Sequence, residues 1–461
     1  VALRILDEIR GIIAASDRKR KAPGREKIAN IAFKKLPENI VTGIKNISEA
    51  ILKLSHFPPL WKMANIILIK KPGQSSTDPT SYRPISLLAS LGKVVEKTIK
   101  RTIQNTANDL GIVPHEQMGF REGHSTTHQG VRLTTTILMA ANHHQKTGVV
   151  FLDISKAFDK MWHEGLVLKM LHHGFPKYQV ELVESFLRDR TFRVTLDGTI
   201  STERKIKAGV PQGSCLSPLL FNIYMADIPQ TRTTELLAYA DDTAIAASSR
   251  TKWVVIRRLQ KHLDSIADWM DRWRLRVNPS KTQAILFNQN KKRPPRDLLR
   301  WKDTRLKWTG TAKYLGILYD ARLTWRAHVQ AVRRKAQAQL STLYPLIGWN
   351  SSLNQDTKIM IYKLYIRPIL SYAAPAWATV SPEIMQALQG MENRILRMIV
   401  QAPWFVRNST LRREFPLETL VEFLANLARS HFTKAETSNH PVINVRAEPG
   451  ARLRYPKDTT T

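Results

Sequence analysis

The sequence predicts an α+β core followed by an all-α region, and three observations carry that expectation. Short apolar runs of strand length alternate with helical patterns through the middle of the chain. From about Arg326 the pattern is mostly helical. The 461 residues are too many for one hydrophobic core, so two or three domains are expected.

Taken in order, residues 1–22 read as a basic helix ending in Arg18-Lys19-Arg20-Lys21. That run is either a nuclear-import signal or a solvated helix face. AFKKLPENIVTGIKNISEAILKLSHFPPLWK has helical periodicity and stops at Pro58 and Pro59. ANIILIKKPGQSSTDPTSYRPISLL reads as a hairpin with Lys70, Lys71 and Arg83 near its mouth. Val149 to Leu152 is the continuous apolar run of a strand buried on both faces, and Asp153 ends it. A helix is expected next, burying Phe158, Met161, Trp162, Leu166 and Met170. KAGVPQGS is a loop leading into an apolar helix. Leu236–Tyr239 and Ala244–Ala247 flank the pair Asp241-Asp242 as the arms of a hairpin.

An amphipathic helix follows, with Val255, Leu259, Leu263, Ile266, Trp269 and Trp273 on one face. RVNPSKTQAILF gives a turn and a strand, and AKYLGILYDARLTW another strand pair. The helical end carries the basic cluster Arg333, Arg334 and Lys335, and residues 436–461 read as a poorly ordered tail. No internal repeat is present.

Lys plus Arg number 71 against 38 Asp plus Glu, a net charge of +33, which attracts polyanions. Nucleic acid is the expected partner. A membrane would require an apolar span of roughly 18 residues or a basic amphipathic anchor. The longest apolar runs are too short and contain prolines, so no membrane partner is expected. The single cysteine, Cys215, excludes intrachain disulfides and Cys-based zinc sites and points to a reducing compartment. The start at Val1 suggests a fragment of a longer polyprotein.

Asp241-Asp242 between apolar arms needs a reason. A charged turn is one reading. Tight hairpins, however, favour Asn-Gly or Asp-Gly, and adjacent carboxylates repel one another. If the strand ending at Asp153 lies beside this hairpin, three carboxylates converge, and a bound cation would relieve them. Oxygen-only donors select Mg²⁺ or Mn²⁺ over Zn²⁺. Two ions roughly 3.5–4 Å apart suit in-line phosphoryl displacement. Asp153 also reads as a helix N-cap, and Ser155 and Asp159 can cap as well. Pro211-Gln212-Gly213-Ser214 is a rigid loop in which Gly213 permits close backbone approach and Gln212 offers both a donor and an acceptor.

The ordered set SYRPISLLASLGKVVEK, GFREGHST, FLDISKAFD, AGVPQGSCLSPLLFNIYM, AYADD, NPSKT and KYLGILYD resembles the reverse transcriptases of non-LTR retrotransposons, the jockey-like clade in particular. The likeness covers roughly residues 20–435. It implies a right-hand polymerase copying RNA into DNA: a basic helix and fingers over 1–147, a palm with an antiparallel sheet over 148–325, and a helical thumb over 326–435. The implied partners are an RNA template, a DNA primer and dNTPs. The implied cofactor is a pair of Mg²⁺ ions, with Mn²⁺ as the alternative. The implied location is the nucleus, with a cytoplasmic ribonucleoprotein stage.

By the same resemblance Asp153, Asp241 and Asp242 are the metal-binding carboxylates, joined by the backbone carbonyl of Ile154. Phe158 stands where the family blocks a ribose 2′-OH, though a core aromatic reads equally well. Gln212 and Gly213 match the loop on the incoming nucleotide. Lys281 matches a lysine that protonates pyrophosphate, and Arg83 and Arg121 match fingers residues that hold the triphosphate. Tyr314, Leu315 and Gly316 match a primer grip. Arg333, Arg334 and Lys335 would touch duplex backbone, against a solvated helix face.

The sequence departs from the family in three respects. APGREK at 22–27 stands where relatives carry APGPDG, and no endonuclease or Cys-His knuckle is present in these residues. Two other readings remain open. One is a decayed copy that only binds RNA or DNA. The other is a related palm-domain RNA polymerase, against which Ala240 and Phe158 argue.

Overall fold

A computed structural model describes residues 2–16, 22–71, 73–75, 77–288, 299–438, 440 and 442–443. The basic run Arg18–Lys21 and most of the expected tail lie outside the described residues. In chain order the strands are β1 (Met63–Lys70), β2 (Tyr82–Leu87), β3 (Lys146–Asp153), β4 (Thr191–Leu196), β5 (Thr199–Ile200) and β6 (Arg204–Lys205). They continue with β7 (Glu235–Tyr239), β8 (Asp242–Ser249), β9 (Gln283–Phe287), β10 (Arg300–Trp301) and β11 (Thr304–Arg305). The last are β12 (Lys307–Trp308), β13 (Thr311–Tyr314) and β14 (Ile317–Asp320). The architecture is mixed α+β, as the sequence pattern predicts.

The chain divides into two units. One comprises Val1–Phe120, Ile154–Pro229 and Ile266–Val277; the other comprises Arg121–Asp153, Gln230–Ser265 and Asn278–Thr461.

The first unit carries a sheet in the order β2-β1-β4-β5, with β6 also on β4. β1 and β2 form the expected hairpin, with Ile67 opposite Ile85, and β4 runs parallel to β1. Helices Ala2–Ser16, Glu38–Leu54 and Ser90–Asp109 share a small core of Ile9, Ile13, Val41, Ile44 and Val94. Glu38–Leu54 stops before the prolines because Ser55 turns left-handed at φ 51° and caps it.

The helix expected after Asp153 is broken into Ala157–Lys160 and His163–His172. The carbonyls that would continue it are taken by a loop: Val210 N donates to Phe158 O and Gly209 N to Met161 O, each at 2.8 Å. Met161, Leu166 and Met170 are buried as expected, whereas Phe158 and Trp162 are half-buried. Trp162 folds over Gly165, where a Cβ would stand 2.5 Å from its ring.

The second unit is built on the sheet β12-β9-β3-β8-β7. β3 is its centre, antiparallel to both β8 and β9. Val149–Leu152 are buried, which explains the unbroken apolar run. A Cβ on Gly148 would meet Val255 Cγ1 at 2.6 Å, so a bare backbone there lets the Lys252–Arg272 helix close on the strand. On that helix Val255, Leu259 and Leu263, in the second unit, are buried, as are Ile266 and Trp269, which belong to the first; Trp273 lies past its end and is half-buried. β13 and β14 form a hairpin, and from Arg326 onward the described elements are helical. One apolar core runs from Phe151 and Ile285 through Tyr319 and Trp325 to Trp377 and Leu396. Among the described residues no helix is long and apolar enough to cross a membrane.

Candidate active site

The second unit brings the three acidic residues to one end of its sheet. Asp153 stands directly opposite Asp242 in the β3–β8 register, and Tyr239 opposite Asp242 in β7–β8. Ala240 and Asp241 are therefore a two-residue hairpin loop. Ala240 takes φ 56°, a left-handed conformation that costs a residue with a side chain about 1–2 kcal/mol. Such strain is retained where the surrounding structure fixes it, and here it sets the direction of Asp241.

The electrostatics are unfavourable for an acid cluster left to itself. Burial, reinforced by the charge of Asp153, raises the Asp241 carboxyl above the usual range. Asp242 keeps an exposed surface, yet loss of hydration around its carboxyl, then the charges of Asp241 and Asp153, push it up to about 6. Lys313 is the cation that pulls it back in part. Lys313 lies on β13 with its side chain exposed, and sequence reasoning passed over it.

The donor set is oxygen alone, and its crowding is what a hard divalent cation would relieve. Among the described residues no group of three or more His, Cys, Asp or Glu forms a ready-made metal cage. The carboxylates fit a cation that also takes oxygens from substrate, as Mg²⁺ commonly does.

The pH response follows from Asp242. The folded state binds its proton more tightly than the unfolded chain, whose carboxyl titrates near 3.8. This group therefore favours folding increasingly as pH falls from about 6 toward about 4. Above about 6 it opposes folding fully. Thermal unfolding of metal-free protein should show parent and Asp242→Asn converging as pH is lowered through that window. A constant difference across it would exclude the raised carboxyl.

Asp153 is not a helix cap. The following helix is preceded by Lys156 in a left-handed conformation, with no side-chain cap from Ser155 or Asp159. The end of β3 is instead held by the Asn-Pro-Ser-Lys-Thr turn. Asn278 N donates to Asp153 O at 2.8 Å, and Asp153 N donates to Thr282 Oγ1 at 3.3 Å. Thr282 Oγ1 in turn donates to Asn278 O at 2.9 Å. Lys281 is exposed on that turn. Ile154, in the first unit, is buried and bridges to Val277.

Tyr314 is buried rather than presented to solvent. Its hydroxyl donates to Leu237 O at 3.1 Å and accepts from Gln129 Nε2 at 3.3 Å, bracing the carboxylate hairpin from behind. Tyr314→Phe is expected to cost about 1–3 kcal/mol in urea unfolding, because Gln129 and the Leu237 carbonyl lose their partner inside the core. The accessible part of that motif is the turn. Leu315 and Gly316 both have positive φ, 47° and 83°, and Tyr372 Oη donates to Leu315 O at 2.9 Å. Arg121 is half-buried, and on the helix Arg326–Ile347 Arg334 and Lys335 are exposed while Arg333 is half-buried.

In the first unit a second group of candidates is assembled. Gln212 Nε2 donates to Asp159 Oδ1 at 2.7 Å, and Gln212 O accepts from Ser86 N at 2.7 Å. The close approach that requires Gly213 is to protein: a Cβ there would stand 2.4 Å from Ser86 O, at φ 136°. Phe158 stacks on Phe221 with centroids 4.4 Å apart and meets the edge of Phe120 at 5.8 Å. Being half-buried, it is both a packed aromatic and an accessible one. Arg83 is exposed on β2.

The loop is secured by residues that sequence reasoning missed. Glu96, fully buried, accepts from Ser214 Oγ at 2.7 Å and Cys215 N at 2.8 Å. Burial raises its carboxyl while the charge of Arg190 lowers it. Arg190 is itself buried, and burial pushes its guanidinium down to about 10. The signal was a glutamate on the apolar stripe of Val95, Ile99 and Ile103.

Residues 69–319 match the reverse transcriptase (RNA-dependent DNA polymerase) family, over half of the chain, and the chain belongs to that family. Members generally use divalent metal ions. Among its relatives is the probable RNA-directed DNA polymerase from transposon BS of Drosophila melanogaster, 35% identical over 94% of this chain and 49% of that protein. That from transposon X-element of the same fly is 34% identical over 96% of this chain and 49% of that protein. The RNA-directed DNA polymerase from mobile element jockey is 32% identical over 97% and 50%. The chain thus spans about half the length of the curated relatives it matches. Telomerase of Candida albicans aligns with a TM-score of 0.42 at 10% identity, over 82% of this chain and 68% of its own, a likeness too slight to argue from.

Proposed function

We propose that this chain is the RNA-directed DNA polymerase of a non-LTR retrotransposon, adding dNTPs to a primer 3′-OH on an RNA template. The observation that carries the reading is Asp153 opposite Asp242 beside Asp241, three carboxylates at one end of a sheet, with Asp241 and Asp242 raised by burial and by neighbouring carboxylate charge, in a chain of net charge +33. In this reading Asp153, Asp241, Asp242 and the Ile154 carbonyl hold two Mg²⁺ ions, or Mn²⁺. When bound, such ions acidify the primer hydroxyl and carry the charge of departing pyrophosphate.

The protein's own groups do the rest. Asp242 stays ionised at neutral pH and helps orient its neighbours. Lys281 delivers a proton to the leaving group. Arg83 and Arg121 hold the triphosphate. Phe158 excludes a ribose 2′-OH, and Gln212 and Gly213 support the incoming nucleotide. The Leu315-Gly316 turn positions the primer, with Tyr314 behind it, and Arg333, Arg334 and Lys335 meet the duplex backbone.

The same reading assigns fingers to 1–147, palm to 148–325 and thumb to 326–435 of a right-hand polymerase. It places the enzyme in the nucleus after a cytoplasmic ribonucleoprotein stage.

The test is extension of a DNA primer annealed to an RNA template with dNTPs and Mg²⁺, with and without chelator. Product that vanishes with chelator supports the proposal. Template–primer binding that weakens steeply with salt, with no product in Mg²⁺ or Mn²⁺, would leave a binding protein only.

A further inference from the structure

We propose that the surface bearing Trp349, Trp404 and Phe405, in the helical part of the second unit, binds single-stranded nucleic acid by stacking bases on its rings. It uses none of the residues of the carboxylate site and stands whether or not the chain polymerises. Trp404 is 88% exposed, Phe405 69% and Trp349 59%. Large aromatics are seldom left this open together unless a partner covers them.

The exposure is built into the fold. Half-buried Arg397 donates to the carbonyls of Pro403 at 2.7 Å and Val406 at 2.5 Å, and to Asn408 Oδ1 at 3.0 Å. It thereby brackets Trp404 and Phe405 on both sides. Buried Lys358 donates to the carbonyls of Gly348 at 3.2 Å and Ser351 at 3.1 Å, bracketing Trp349 in the same way. Gln401 Nε2 donates to Trp349 O at 2.9 Å and ties the two loops together. Trp404 and Phe405 meet edge to face with centroids 6.1 Å apart. Each aromatic loop is thus ordered over a cation before any partner arrives, which lowers the cost of binding.

Charge selects the occupant. From Arg394 to Arg413 the chain has five arginines and no carboxylate. Arg394, Arg407 and Arg413 in that stretch are exposed, Arg407 two residues after Phe405. A second copy of this +33 chain would set like charge against like. A single strand matches both features, with phosphates on the arginines and unpaired bases on the rings. A duplex keeps its base faces stacked inside and gains only the arginines.

The test is anisotropy of labelled oligouridylate and oligothymidylate of about 16 nucleotides, beside a blunt duplex of the same length, on the full chain without metal or dNTPs. The triple variant Trp349→Ala, Trp404→Ala, Phe405→Ala should lose about tenfold or more of single-strand affinity and stay within about twofold on duplex. Trp404→Phe should keep most of it. The two oligonucleotides show whether RNA or DNA is preferred. An unchanged single-strand affinity, or equal losses on strand and duplex, would overturn the proposal. So would a parent protein that self-associates in sedimentation through these rings while the triple variant does not. Absence of primer extension together with the selective single-strand loss would sink the polymerase reading and leave this one standing.

Discussion

Asparagine in place of Asp241 is expected to lower RNA-templated primer extension by roughly a hundred- to a thousandfold or more. The residue lies at the tip of a hairpin whose direction is fixed by the left-handed Ala240 and whose back is braced by Tyr314. Its replacement keeps size and hydrogen bonding but removes the charge that a divalent ion requires. Template–primer affinity should stay the same or rise slightly, since one negative charge leaves a surface that meets phosphates. The variant should fold at least as well as the parent without metal, because the raised Asp241 carboxyl and its pressure on Asp242 disappear. Extension rate, binding and thermal unfolding on the same preparation separate these effects. A variant that extends at the parental rate would show the carboxylate to be dispensable.

The second large effect is on sugar selection. Phe158→Val is expected to raise incorporation of rNTPs relative to dNTPs by roughly a hundredfold, read as the ratio of kcat/KM values. A steric filter must be rigid, and Phe158 is held by stacking on Phe221, by the edge of Phe120, and by the Val210 N–H on its carbonyl. Phe158→Tyr keeps the bulk and should keep the discrimination. If Phe158→Val incorporates ribonucleotides no better than the parent, the ring is a packing residue only.

Much of this was legible in the sequence for reasons that are local. Val149–Leu152 reads as a central strand because burial on both faces demands an unbroken apolar run. The Asp241-Asp242 hairpin shows through because charge between apolar arms is costly without a purpose. The Tyr314–Ile317 hairpin and the amphipathic helix at 252–272 follow from their periods of two and 3.6.

What escaped was set by contacts distant in sequence. The helix after Asp153 breaks because a loop some fifty residues later takes its carbonyls. The Tyr314 hydroxyl bonds to Gln129 and Leu237 inside the core, partners far away in sequence. Gly213 fits the carbonyl of Ser86, which no local pattern announces. Glu96, which secures the Gln212 loop, and Arg190, whose charge acts on Glu96, are nearly a hundred residues apart. Trp404 and Phe405 look like core residues by composition; only the fold leaves them outside.

The central claim is that Asp153, Asp241 and Asp242 hold the catalytic cations. The most direct measurement counts Mn²⁺ bound to the protein by EPR, with an RNA–DNA template–primer and a non-hydrolysable dNTP present, in the parent and in Asp241→Asn. The account predicts two bound ions in the parent and at most one in the variant. Equal numbers in the two proteins would place the cations elsewhere and contradict it.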